Sequence, residues 1–223
     1  MFDKFRVIDL SLQYYEGMFT YPADLHVRTE LTIMGRHFVE GRMATKITIG
    51  SHAGTHADAP LHQIAGGLPI DKLPVDGFVG WAQIINLTDK KSKQPITAKD
   101  LDERGKGVQK GDIVVFHTNW TQNTWDTKEF YAEVNPWPTD DAIQWLLDHE
   151  IKCLITDCDI EDIKVTVKPG PHHVAVLGHG IQLVEYPVNL DKLTKDRVFI
   201  CAAPINIRGC DGAPVRIVAI EEI

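Results

Sequence analysis

Apolar and β-branched residues fall in short runs divided by polar stretches, which predicts mostly strands with a few helices between them. Arg6 to Leu10, Val79 to Leu87 and Asp112 to His117 each predict a strand. Ala98 to Asp102 follows Thr97 and predicts a short capped helix. Thr139 to Leu147 predicts a stronger one, with Thr139 as its cap and the acids Asp140 and Asp141 in its first turn. Lys152 to Thr156 comes directly after it and predicts a buried strand, which gives the middle of the chain a β-α-β character. Phe199 to Ala203 and Val215 to Ile220 supply further strands near the end. No internal repeat or low-complexity segment is visible. Periodicity alone therefore allows α/β or α+β.

Length and composition narrow the class. The 223 residues suffice for one sizeable core and are few for two, so 1–223 is expected to be a single domain. No apolar stretch approaches the roughly 20 residues that span a bilayer, and Met1 to Arg6 leads into strand-like residues rather than a signal segment. A cytoplasmic protein with no membrane partner is expected. Cys153, Cys158, Cys201 and Cys210 form no C-x-x-C pair and suit reduced thiols used for packing. A net charge of -8 with no offsetting basic cluster argues against nucleic acid as a partner. Lys90-Lys91-Ser92-Lys93 reads as a solvated turn.

The chemistry concentrates between His52 and His62, where His52, His56, Asp58 and His62 lie within eleven positions. Imidazole and carboxylate hold zinc and related divalent ions, whereas four such groups together contribute little to a core. On a helix His52 and His56 would share a face, but Gly54 between them and Pro60 beyond make a continuous helix a poor fit. In an extended segment all four even-numbered positions share one face. A straight strand would spread its ends over roughly 33 Å at about 3.3 Å per residue, beyond the reach of one ion. The segment must curl, with Gly54 and Pro60 as bending points. His52, His56 and Asp58 are read as ligands, and His62 as the group left free for proton transfer. Structural zinc sites are closed and rich in cysteine, and no cysteine falls here, so the site is of the open, catalytic type.

The pattern H-x-G-T-H-x-D-x-P-x-H, His52 to His62, resembles the signature of the metal-dependent cyclase-family hydrolases, which include bacterial kynurenine formamidase and isatin hydrolase. The similarity continues through Gly66 to Pro74, Gly80 to Leu87, Gly111 to Val115, and His173 to Glu185 followed by Val188 to Leu193. The resemblance implies an α/β fold of the cyclase-like swivelling β/β/α type, with a mixed, strongly curved sheet. It implies that His52, His56 and Asp58 bind a first metal and that His62 acts as general base and acid. In two-metal relatives Asp58 bridges to a second ion, also held by a histidine and by a glutamate twelve residues later. His173 and Glu185 fit that spacing, with His172 and His179 as competitors. Glu185, where isatin hydrolases have a glutamine, leans towards two metals. The implied cofactor is zinc or manganese, one or two ions per chain, and the implied assembly is a homodimer or homotetramer.

The expected reaction is hydrolysis of an amide, formamide or lactam C–N bond in a small planar or aromatic substrate. N-formylkynurenine is the type case, and ester or lactone cleavage the side activity. Tyr21, where formamidases of the family tend to have tryptophan, is a candidate substrate contact. Trp120, Trp125, Tyr131 and Trp137 are read as lining a pocket or steadying a loop or interface. Asp157-Cys158-Asp159 invites a further metal reading, with turn chemistry as the simpler use. The alternatives are an isatin-hydrolase-like lactam or lactone hydrolase, a true cyclase or lyase using the same site, and a non-catalytic metal-binding protein, which the presence of His62 disfavours.

Overall fold

A computed structural model describes residues 4–20, 26–132, 135–161 and 169–222. In chain order the elements are β1 (Phe5–Asp9), β2 (Glu30–Gly35), α1 (His37–Glu40), β3 (Ala44–Thr48), β4 (His56–Asp58), α2 (Pro60–Gln63) and β5 (Val79–Asn86). They continue with β6 (Pro95–Ile96), α3 (Ala98–Arg104), β7 (Ile113–His117), α4 (Trp120–Thr124), α5 (Glu129–Ala132), β8 (Trp137–Pro138) and α6 (Asp140–Asp148). The last are β9 (Cys153–Thr156), α7 (Pro171–Gly178), β10 (Gln182–Glu185), β11 (Arg197–Cys201), β12 (Gly212–Pro214) and β13 (Val218–Glu222).

Nine strands form one curled, mixed sheet in the order β1-β13-β11-β5-β7-β9-β10-β4-β12. The four central strands, β5, β7, β9 and β10, are parallel neighbours, and every pairing outside them is antiparallel. The parallel strands are apolar on both faces, as a doubly covered sheet requires. Ile85, Val114, Phe116, Leu154 and Leu183 face one way and pack against Leu101 of α3, Ala142, Ile143 and Leu146 of α6, and Val176 and Leu177 of α7. Ala82, Ile84, Ile113, Val115, Cys153, Ile155 and Val184 face the other way, where the sheet closes on itself around Ile8, Val198, Ile200, Ala213 and Ala219. A bridge from Pro204, past β11, to Val215, past β12, ties the far parts of the curl together.

Four expectations need correction. Val215 to Ile220 is not one strand: residues 212–214 pair with β4 and 218–222 pair with β1 and β11. The break falls where the Ile217 N–H donates to Ser11 Oγ at 2.7 Å and Arg216 pairs with Asp9, so the chain turns a corner of the curl there. Thr139 stands at the cap position of α6 but makes no capping bond; its hydroxyl instead faces the Ile96 carbonyl and the Asp141 carboxylate. Thr97, by contrast, forms a reciprocal capping box with Asp100. Phe199 to Ala203 and Lys152 to Thr156 are shifted by one or two residues, to Arg197–Cys201 and Cys153–Thr156. Among the described residues no helix is long and apolar enough to cross a membrane.

Candidate metal centre

The motif segment is extended only over His56, Ala57 and Asp58, and its neighbours on both sides turn. Before it, Gly54 takes a left-handed φ of 58°, and a Cβ there would meet Met18 at 3.1 Å and Tyr14 at 3.2 Å. The Tyr14 hydroxyl donates to the Ala53 carbonyl, and Thr55 is held between the Leu12 N–H and the Tyr186 carbonyl. After it, Pro60 opens α2 rather than bending a strand, and α2 carries His62 back over His52 with ring centres 4.0 Å apart.

The alternation of β4 puts His56 and Asp58 on the helix-covered face, and the ladder with β10 sets Glu185 directly opposite His56. Helix α7 brings His173 over the same face. His56, Asp58, His173 and Glu185 are all buried. Asp58 is the shared element. Its Oδ1 lies 2.7 Å from His52 Nδ1 and 3.2 Å from His56 Nε2, while its Oδ2 lies 3.6 Å from His173 Nε2. Glu185 approaches His56 Nε2 at 3.5 Å and His173 Nε2 at 3.8 Å. Ligand atoms at about 2.1 Å around a tetrahedral zinc stand roughly 3.4 Å from one another, so these separations suit donors gathered about a cation. His52, His56 and Asp58 form one such triad, Asp58, His173 and Glu185 a second, and His52, His62 and Asp211 a third, more exposed one that lacks Asp58.

The outer side of each histidine is anchored. His56 Nδ1 donates to the Gly54 carbonyl at 2.9 Å, His173 Nδ1 lies 2.9 Å from Glu161 Oε1, and His52 Nε2 lies 2.8 Å from Asp211 Oδ2. With the outer nitrogen carrying the hydrogen, the inner nitrogen presents a lone pair, which is the arrangement that supports metal-ligating histidines. Electrostatics show the surplus of negative charge at the cluster. Burial would lower the histidines, but Asp58 and Asp211 raise His52 to about 10, and Glu161 with Glu185 and Asp58 raises His173 to about 9. Burial and the charge of Asp58 push Glu185 well above the usual carboxylate range. Its Oε1 is buried without a hydrogen-bond partner. A donor set this rich in buried carboxylate asks for positive charge, and a divalent cation fits it.

The neighbouring histidines take different directions. His173 joins the cluster, His172 turns away to the Ile160 carbonyl and Asp140, and His179 is exposed and bonded to the Ala175 carbonyl. Asp157 has the turn role: it receives the Thr118 and Asn119 N–H groups and the Thr118 hydroxyl, and burial pushes it up to about 6. Asp159 is buried, which raises its carboxyl, and it feels the charges of His173 and Asp58. Glu161 and Asp211 carry no pattern in the sequence and were found only through the fold. Tyr21 lies outside the described residues, as does the side chain of Tyr131. Trp125 packs beside Phe19, Phe130 and Tyr186, and the Tyr186 ring stands 5.6 Å from that of His56, so an aromatic wall borders the site. Trp120 heads α4, and Trp137 pairs with Pro95. Among the described residues all four cysteines are free thiols, and burial pushes those of Cys153 and Cys158 well up, which makes them poor nucleophiles.

Residues 8–161 match the Cyclase family model, described as "Putative cyclase", so the chain belongs to the cyclase family. It is 29% identical to a kynurenine formamidase of Salinibacter ruber over 214 residues, covering 95% of this chain and 96% of that protein. It is also 29% identical to an isatin hydrolase of Roseibium aggregatum over 196 residues, covering 78% and 73%. A solved structure described as a "potential metal-dependent hydrolase with cyclase activity" superposes with a TM-score of 0.79 at 28% identity, over 97% of this chain and 98% of that one. The chain thus shares its family and its curled mixed sheet with proteins that are named as hydrolases.

Proposed function

We propose that the chain, acting as one domain over residues 1–223, holds one or two zinc or manganese ions on His52, His56, Asp58, His173 and Glu185. It uses them to hydrolyse an amide, formamide or lactam C–N bond. The observation that carries this reading is the shared orientation of three histidines, each anchored outside and each turning its inner nitrogen to Asp58 or Glu185. The division of Asp58 between two triads supports two ions.

A bound divalent ion supplies acidified water and polarises a substrate carbonyl. The protein's own residues supply positioning and proton transfer. His62, half-buried on α2 beside His52, takes a proton from the attacking water. It then gives that proton to the departing nitrogen, so water and amide become a carboxylic acid and an amine. The packed rings of Trp125, Phe130 and Tyr186 form the apolar border of the site, suited to a planar substrate, with Tyr21 as a further contact.

The formamidase relative, matched over nearly the whole of both chains, supports N-formylkynurenine as the substrate type. The isatin hydrolase relative supports a second reading, lactam opening at the same site. Hydrolysis assays with N-formylkynurenine and isatin separate the two, and a carboxylate product formed with uptake of water excludes the cyclase or lyase reading. We place the protein in the cytoplasm. A homodimer or homotetramer is supported by the β2–β3 ribbon, which leaves Ile33, Met34, Phe38 and Ile47 exposed.

A further inference from the structure

One of the three outer acceptors differs from the others. The Gly54 carbonyl serves His56. Glu161 lies 2.9 Å from His173 and 3.7 Å from His172, but His172 turns out of the cluster to the Ile160 carbonyl and Asp140, whereas both imidazoles that Asp211 faces belong to the site. Asp211 Oδ2 lies 2.8 Å from His52 Nε2 and 3.6 Å from His62 Nδ1. The carboxylate is itself steadied, by the Ser51 side chain and by Cys210 Sγ at 3.5 Å from Oδ1. Its backbone is fixed to the motif, because the Asp211 carbonyl accepts the Ala59 N–H at 2.9 Å and the next residue, Gly212, pairs with Asp58. No side chain fits at 212: a Cβ there would stand 2.7 Å from His52 Cε1 and 2.8 Å from the Ala57 carbonyl oxygen. The β4–β12 ladder thus delivers one carboxylate to the gap between a metal-facing histidine and the proton-transfer histidine.

We infer that Asp211 is a positioning residue that holds His52 and His62 in complementary orientations through a single carboxylate. The inference rests on the hydrolase reading for the role of His62, but its structural part stands apart from it. An N–H on His52 Nε2 directed at Asp211 leaves Nδ1 as the lone-pair nitrogen beside Asp58. An N–H on His62 Nδ1 directed at the same carboxylate leaves its Nε2 free to accept a proton from water. The 3.6 Å separation is an ion-pair distance rather than a hydrogen bond, and such contacts commonly shorten in the substrate complex.

The test uses the zinc-loaded full chain, with Asp211→Asn and Asp211→Ala compared with wild type. Nitrogen-15 NMR of the histidine rings, with the His62 signals assigned by their loss in His62→Gln, reads the tautomer directly. Wild type shows His62 protonated on Nδ1, and both variants lose that preference. Chelator competition shows zinc held about 10–100-fold more weakly in the variants, the size expected when the partner of a ligating histidine is removed. With a turned-over substrate, Asp211→Asn lowers kcat far more than it changes KM, and adds nothing in a His62→Gln background. An unchanged His62 tautomer together with unchanged zinc retention overturns the inference. So does a full additional loss of kcat in the His62→Gln background. Absence of turnover in wild type strikes the hydrolase reading instead, while the tautomer and zinc measurements still decide Asp211.

Discussion

Glu185 pairs directly with His56 across the β4–β10 ladder, and their side chains meet at 3.5 Å on the helix-covered face. The pairing brings the end of β10 to the motif strand and leaves Glu185 Oε1 buried without a hydrogen bond. Its removal should therefore be felt in metal content before it is felt in the fold. Glu185→Gln is expected to lower bound zinc from two ions per chain towards one. Asp58→Asn, which touches both triads, is expected to abolish tight binding. Elemental analysis after desalting checks both.

His62 stands beside the donor set without belonging to either metal triad that contains Asp58. Replacing it by alanine should leave zinc content within error of wild type and reduce kcat by about 10²–10⁴-fold, the range for a lost general base. Unchanged turnover would remove His62 from the mechanism.

Gly212 pairs with Asp58 and lies against the His52 ring. Gly212→Ala forces β12 away from β4, because one of the atoms it meets is backbone. A loss of about 1–3 kcal/mol is expected from such overpacking, or a fall in Tm of about 2–4 °C per kcal/mol for a chain of this size. Calorimetry of metal-free protein isolates this effect from weakened metal binding.

Glu221, whose side chain is buried on β13, gives a pH dependence away from the metal centre. Burial raises its pKa, but the Thr194 N–H and hydroxyl and the Arg6 guanidinium outweigh it, and the result is below the usual value. A carboxylate depressed in the folded state adds stability above its unfolded pKa, near 4.3, and loses it as pH falls through the folded value. Urea midpoints of wild type and Glu221→Gln should differ at pH 6 and converge as the pH approaches 3. A gap that persists undiminished at pH 3 would contradict this assignment.

The motif was legible because four ligand-type side chains in eleven positions have no structural use that explains them together. The central strands were legible for a similar reason: Val79 to Leu87 and Lys152 to Thr156 are apolar runs of strand length. His173 and Glu185 came from resemblance, since a histidine and a glutamate twelve apart carry no pattern of their own, and only α7 and β10 bring them to Asp58. Glu161 and Asp211 were invisible because isolated acids in loops look alike until the sheet places them. The apolar run from Val215 misled for a physical reason. A strand that changes partners at Arg216 and Ile217 keeps the composition of a single strand while turning a corner of the curl.

The proposed metal centre depends on Asp58 joining two ligand sets. Titrating zinc into metal-stripped wild-type protein by calorimetry tests it most directly. Two tight sites per chain are expected, both lost in Asp58→Asn. Absence of tight zinc binding by the wild-type chain, or full retention of both sites in Asp58→Asn, would contradict it.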